Sequence, residues 1–338
     1  MYGARCVRPR AAAGWVAALL MLLVLLRGPQ TQQASSGHHH SIMYTSSNES
    51  MNTESTPPPR VILTKELYVP GHRVAHPELC PQLGAGLALL VLVTSAPENS
   101  SARYAVRHTW GSFARRSDIV LAFVIGQSPR KYHKRLARED ALYGDMIQGN
   151  CVDSYSNLTL KVLSMLEWAD TYCPRAPRLL KTDDDVFPNL PRLLRFLAAP
   201  QRANATHTVW GQYNAIIYQN PRRNKRDKWF LTKVQYPSAL LPMFFSGTGY
   251  VMTADCVRPM LRAAGDRPYI RLEDVFITGV LASALGFNRP RTKEFTGASQ
   301  SSGKPPCVVQ RNFILHKVWP HQQYELWRQL HAAADKCT

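Results

Sequence analysis

Acidic residues are scarce in this chain: 23 Asp and Glu stand against 41 Lys and Arg, a formal charge of +18. Such an imbalance suits nucleic acid, anionic membrane or phosphate-bearing ligands. No RRM, zinc-finger or homeodomain signature directs it at nucleic acid, and a generally basic surface is the plain alternative. The cysteines contain no C-x-x-C pair, which argues against zinc. No internal repeat is visible, which sets repeat architectures aside. The apolar run at the N-terminus, "AAAGWVAALLMLLVLL" at 11–26, is short. As a helix it reaches about 24 Å at 1.5 Å per residue, below the roughly 30 Å of an average hydrocarbon core. It reads as a cleaved signal peptide or as a short signal anchor suited to a thin early-secretory membrane. Arg5, Arg8 and Arg10 put the N-terminus in the cytosol in either case. The weak cleavage site at Ala34 favours the anchor.

What is present supports a lumenal protein. Four N-x-S/T sequons occur, at Asn48, Asn99, Asn157 and Asn204, each weak alone. Six cysteines follow the apolar run (Cys80, Cys151, Cys173, Cys256, Cys307 and Cys337), an even count that fits disulfides in an oxidising lumen. Residues 27–80 are rich in Ser, Thr, Pro, Gln and His, the composition of a mobile stem. The expected organisation is a cytosolic tail (1–10), an anchor (11–26), the stem (27–80) and a lumenal catalytic domain (81–338). At 45% hydrophobic residues the chain can bury a sizeable core.

Globular patterning begins at "GLALLVLVTS" (86–95), an apolar run that reads as a strand buried on both faces. "SARYAVRHTWG" is a helix candidate, "DIVLAFVIG" (118–126) a second buried strand, 131–143 a helix and "DMIQG" a short strand. Tyr155, Leu158, Val162, Met165, Ala169 and Tyr172 recur at steps of three and four, one face of an amphipathic helix. "RLLKTD" returns to strand. Strands alternating with helices argue for an α/β fold around a largely parallel sheet, whose ligands bind beyond the carboxyl ends of the strands.

"LLKTDDDVFPNL" (179–190) puts three carboxylates at such an end. In extended backbone alternate residues face one way, so Asp183 and Asp185 point together and Asp184 away. Two carboxylates with little further protein oxygen suit Mg²⁺ or Mn²⁺, which keep waters and take phosphate oxygens. An EF-hand is excluded, because Pro188 and Leu194 stand where that loop needs Gly and Glu. The alternative is that the aspartates cap the helix near 190, which explains one Asp and leaves two over. In "RLEDVFITGVLASALGF" (271–287), Glu273 and Asp274 open an amphipathic helix, where capping alone would welcome them. "FFSGTGYVM" (244–252) is a glycine-containing run where backbone can approach a ligand closely.

"RYAVRHTWG", "DSYSNLTLKVLSMLEW", "CPRAPRLLKTDDDVFPN", "KWFLTKVQYPSALLPMFFSGTGYVMTAD" and "LEDVFITGVLASALGF" follow in the order and spacing of the β-1,3-galactosyltransferases, which the chain resembles over about 86–330. That family includes β-1,3-N-acetylglucosaminyltransferases. The resemblance implies a Golgi type II membrane enzyme with a GT-A-type, Rossmann-like mixed sheet, Mn²⁺ (or Mg²⁺), a UDP-sugar donor and inversion at the sugar. It makes Asp183, Asp185 and His316 metal ligands, and Asp274 the base for the acceptor hydroxyl. Arg107, Thr109, Trp110, Lys181, Asp183 and Asp184 would lie at the nucleotide, and Gly247, Thr248, Gly249 and Glu273 on the acceptor side. It also implies a Cys80–Cys173 disulfide. Pro188-Asn189 departs from the common Val-Asn of the family, and "SGTGY" from "SGGGY", which adds a hydroxyl near the acceptor. The implied reaction moves galactose from UDP-galactose to a glycan on protein or lipid. UDP-GlcNAc is the alternative donor. A lectin-like membrane protein without turnover and a metal-independent retaining glycosidase are the rivals.

Overall fold

A computed structural model describes residues 60–213, 220–295, 298–299 and 306–332. The apolar run at 11–26 and Asn48 lie outside them. No helix among the described residues is long and apolar enough to cross a membrane.

Among the described residues, ten strands form two sheets. The main sheet comprises β1 (His72–Val74), β2 (Leu89–Thr94), β3 (Ile119–Gln127), β4 (Met146–Val152), β5 (Arg178–Asp183), β7 (Val209–Tyr213) and β8 (Phe245–Thr253), in the order β1-β4-β3-β2-β5-β8-β7. Its centre, β4-β3-β2-β5, is parallel. The flanking β1 and β8–β7 run antiparallel, so the sheet is mixed and Rossmann-like. A small sheet pairs β6 (Val186–Pro188) with β10 (Ile314–His316), and β10 with β9 (Ala298–Ser299).

Helices cover both faces because both faces are apolar. Leu90 and Leu92 of β2 face a core that includes Val162, Leu166 and Trp168 of the helix Leu158–Tyr172. Leu89, Val91 and Val93 face the opposite core, with Val106 of the helix Ser100–His108 and Leu193 of the helix Leu190–Ala198. The fully buried run of β2 thus has the cause its sequence implies: no face of it meets water.

Several boundaries shift. The "DMIQG" strand continues to Val152. The helix that follows it is buried nearly all round, including Lys161 and Ser164, and Tyr155 belongs to a preceding 3₁₀ turn. Periodicity read it as amphipathic because Lys161 counts as an outward-facing residue, whereas its Nζ is buried on Asp153 at 2.9 Å. Most consequentially, residues 60–80 pack on the domain: Thr64 N donates to Arg267 O at 2.9 Å, Tyr68 Oη to Glu167 at 2.5 Å, and β1 pairs with β4. Residues 60–80, expected as part of a stem, are thus packed against the domain. Cys80 and Cys173 are disulfide-bonded, as the resemblance implied.

Candidate active site

The carboxyl ends of β2 and β5 and the start of β8 open onto a cleft of about 570 Å³, bordered by Lys181, Asp183, Asp185, Gly247, Thr248, Glu273, Asp274 and His316. That volume is within the usual range of small-ligand sites, roughly 300–1,000 Å³.

The carboxylate turn is built by pairing. Thr94 lies opposite Asp183 in the parallel β2–β5 register, and its hydroxyl donates to Asp183 Oδ1. Lys181 Nζ donates to the same oxygen at 2.7 Å and to Gly247 O at 2.5 Å, and lies 3.5 Å from Glu273 Oε2. Burial works against the charge on Lys181, but Asp183 and Glu273 outweigh it and hold the ammonium protonated, above its ordinary range. Asp184 turns away from the cleft. Its carboxylate accepts from Ser95 Oγ at 2.7 Å and Asn99 Nδ2 at 3.0 Å, and its N–H donates to Thr94 O at 3.1 Å. Burial pushes this carboxyl up to about 6, against the hydrogen bonds of Ser95 and Asn99. Asp183 and Asp185 border the cleft and Asp184 does not; Asp184 and Asp185 form the turn between β5 and β6, not the extended backbone that the sequence reading assumed.

The capping alternative fails on a neighbouring residue. Asn189 Oδ1 accepts from Arg192 N at 3.1 Å and caps the helix Leu190–Ala198, so the aspartates are not needed there. Pro188 closes β6 opposite Ile314, and the same pairing sets His316 opposite Val186, beside Asp185. His316 Nε2 lies 3.4 Å from Asp185 Oδ2. Val318 N donates to Asp185 O at 2.8 Å across Lys317, which adopts the left-handed region at φ +59°. A non-glycine residue there costs on the order of 1 kcal/mol, offset here by the two bonds that flank it.

No three His, Cys, Asp or Glu side chains among the described residues converge as a closed metal cage. A looser set of side chains borders the cleft. Asp185, half exposed, and His316 face the cleft together, while Asp183 keeps one oxygen beyond those held by Lys181 and Thr94. One or two carboxylates and an imidazole, with the remaining positions left to phosphate oxygens and water, fit Mn²⁺ or Mg²⁺.

The second acidic pair is fixed by a helix stapled to β8. Asp274 opens a π-helical segment, Val275–Leu281, a widened turn frequent at functional sites. Thr278 Oγ1 donates to Asp274 O at 2.7 Å and accepts from Phe245 N at 2.8 Å. The two Asp274 carboxylate oxygens accept from Val275 N at 2.9 Å and Gly247 N at 3.2 Å. Burial raises its proton affinity and these N–H groups oppose the rise. Glu273 is buried, accepts from Tyr250 Oη at 2.5 Å, and is lifted by burial to about 7 while Lys181 holds it down. A Cβ on Gly247 would lie 3.1 Å from Glu273 Oε2, and one on Gly249 2.8 Å from Ile314 Cδ1, so both glycines serve close packing.

Besides Asp184, three expected nucleotide contacts lie away from the cleft. Arg107 does not border the cleft: its guanidinium binds Glu139 at 2.8 Å and Asp145 at 2.7 and 2.8 Å, and stacks 4.0 Å from the Tyr143 ring. Thr109 Oγ1 donates to Ala105 O at 2.7 Å and buried Trp110 donates to Gln323 at 3.1 Å. Their polar groups are consumed inside the fold. Conversely, Tyr155, Arg222, Lys228, Trp229 and Arg271 border the cleft and were not anticipated. The cation–aromatic run "RDKWF" was the available signal. Of the sequons, Asn204 is exposed, Asn157 partly so, and the Asn99 amide is engaged by Asp184. Cys151 and Cys256 are free thiols, raised by burial to about 11 and about 12.

Comparison with known proteins agrees with this cleft. The family model described as galactosyltransferase matches residues 101–293. Beta-1,3-galactosyltransferase 4 of Rattus norvegicus is 33% identical over 288 residues, covering 78% of this chain and 77% of its own. Beta-1,3-galactosyltransferase 5 of Homo sapiens is 32% identical over 249 residues, covering 72% and 78%. UDP-GlcNAc:betaGal beta-1,3-N-acetylglucosaminyltransferase 7 of Rattus norvegicus is 31% identical over 273 residues, covering 76% and 67%. A match of this extent, carrying the carboxylate turn and the Glu273-Asp274 helix within it, means that the chain belongs to the galactosyltransferase family.

Proposed function

We propose that the protein is an inverting, UDP-galactose-dependent β-1,3-galactosyltransferase of GT-A type. The observation that carries this reading is that Asp183, Asp185 and Asp274 border one cleft at the ends of parallel strands. A glycosyl donor reacts when its leaving diphosphate is stabilised and its acceptor hydroxyl deprotonated. Asp185 and His316, with the remaining oxygen of Asp183, would hold Mn²⁺, which when bound neutralises charge developing on the diphosphate. Lys181 holds Asp183 in place and joins the turn to Gly247 and Glu273. Asp274 takes the proton of the acceptor hydroxyl, a contribution of typically ~10²–10⁴-fold. Its elevated proton affinity suits a base. One displacement at the anomeric carbon then inverts an α-linked donor to a β-linked product, with no enzyme nucleophile.

UDP-GlcNAc is the second donor reading, favoured by the 31%-identical N-acetylglucosaminyltransferase. We also propose a type II Golgi location, a reading supported by the uncharged run at 11–26 behind three arginines and by the Cys80–Cys173 bond. The acceptor would be a glycan on protein or lipid.

The test is UDP release from UDP-galactose and UDP-GlcNAc over a panel of sugar acceptors, with Mn²⁺ and with EDTA. Transfer from UDP-galactose that EDTA abolishes is expected, and Asp185→Ala should abolish it while leaving the melting temperature nearly unchanged. Full activity of that variant in EDTA would remove the metal assignment.

A further inference from the structure

Asn99 is the first residue of an N-x-S sequon, Asn99-Ser100-Ser101, and stands directly before the helix Ser100–His108. An asparagine there ordinarily caps the helix by accepting from an N–H of the first turn with its side-chain oxygen. Asn99 makes no such bond. Its amide instead donates across the end of β2 to both carboxylate oxygens of Asp184, at 3.0 and 3.4 Å. The same carboxylate accepts from Ser95 Oγ, which is in turn held by Nη1 of the fully buried Arg103 at 2.8 Å. Asp184 is only 7% exposed, and its N–H is bound to Thr94 O. The middle aspartate thus fastens the carboxylate turn to β2 and to the helix, leaving its neighbours on either side to face the cleft.

A glycan on Nδ2 would replace one amide hydrogen and set a sugar against this buried carboxylate. We infer that Asn99 is a positioning residue of the carboxylate turn and is left unglycosylated in the folded protein. The inference rests on the reading that Asp183 and Asp185 border the donor site. It explains how three consecutive acids can be crowded together: the central one turns inward and is solvated by fixed hydrogen-bond donors inside the protein.

Three variants of the full chain, made in glycosylating cells, separate the alternatives. Ser101→Ala destroys the sequon and keeps the amide. Asn99→Ala removes the amide. Asn99→Asp removes it, adds a like charge against Asp184, and remains a good helix cap. The readouts are peptide mass at Asn99, melting temperature without metal, and UDP affinity with and without Mn²⁺. Expected are an unmodified Asn99 and a Ser101→Ala variant that matches wild type. Asn99→Ala should melt lower and bind UDP about fivefold or more weakly in Mn²⁺, the scale of one lost hydrogen bond to a charged group, and Asn99→Asp should be worse in both. Asn99→Asp equal to wild type would make the residue a cap. A glycan at Asn99, or Ser101→Ala as impaired as Asn99→Ala, would make it a glycosylation site. Absence of sugar transfer by wild type would instead count against the proposed function, while the peptide masses and the order of melting temperatures would still decide the role of Asn99.

Discussion

Glu273 and Asp274 are adjacent, yet the fold gives them different environments. Glu273 sits beside Lys181 and Tyr250 away from water, and its carboxyl is lifted to about 7 from an ordinary value of 4.5. A carboxyl raised on folding contributes stability that is present below about 4.5 and is lost as pH rises through about 7. Glu273→Gln removes that contribution, so its melting temperature relative to wild type should climb between pH 5 and pH 8. A flat difference across that range would mean that Lys181 keeps Glu273 ionised throughout. Asp274 is bound by two backbone N–H groups, one on each oxygen. In Asp274→Asn the new NH₂ must face one of those donors, which costs about 1–2 kcal/mol, while the proton acceptor is lost. UDP affinity should survive and transfer fall at least about a hundredfold, both measured on one preparation. Transfer within a few-fold of wild type would make Asp274 only a cap. At this scale the sequence was legible in part: it separated Asp184 from Asp183 and Asp185, though a turn after β5, and not strand alternation, brings Asp185 to the cleft. It was illegible for Arg107, because its partners Glu139 and Asp145 become neighbours only through the packing of remote elements.

Secondary elements carry the site to where the residues can act. His316 meets Asp185 because β10 adds to β6 in antiparallel register, a pairing no local pattern around "FILHKVWP" announces. The Asp274 helix is likewise held to β8 by one hydroxyl, Thr278 Oγ1, which serves Phe245 N and Asp274 O at once. Thr278→Val keeps the shape and the packing but leaves Phe245 N–H buried without an acceptor. The expected cost is about 1–3 kcal/mol of stability, and release of Asp274 from Gly247 should lower kcat more than it raises the KM for donor. Equal change in both constants would indicate general loosening. The parallel centre of the sheet was readable from β2 and β3 because both-face burial leaves near-continuous apolar runs. The π-helical turn was not, since a wide turn has no sequence period distinct from an α-helix.

At the scale of the whole molecule, the boundary between stem and domain shows where composition misleads. Residues 60–80 read as stem because they continue a stretch rich in Ser, Thr, Pro, Gln and His, yet from residue 60 they are held to the domain by hydrogen bonds and one covalent bond. Leu63 bridges Pro268, Tyr269 N donates to Ile62 O at 2.8 Å, and Tyr68 and Gly71 share Glu167. The indole N–H of buried Trp168 donates to Ala75 O. Cys80 then closes a loop of 93 residues on Cys173, worth roughly 4–5 kcal/mol in the chain-entropy model. A chain begun at Arg60 should therefore melt with one begun at Gly28, since it keeps every one of these contacts. A chain begun at Pro81 loses together the disulfide, β1, the Ala75 O that accepts from Trp168 and the Tyr68 hydroxyl that donates to Glu167. It should melt far lower or fail to be secreted. Cys80→Ser in the chain begun at Arg60 should fall between the two, because it loses the covalent bond and retains the hydrogen bonds. If all four melt alike, residues 60–80 are stem after all, and the carboxylate strand stands without its N-terminal tie.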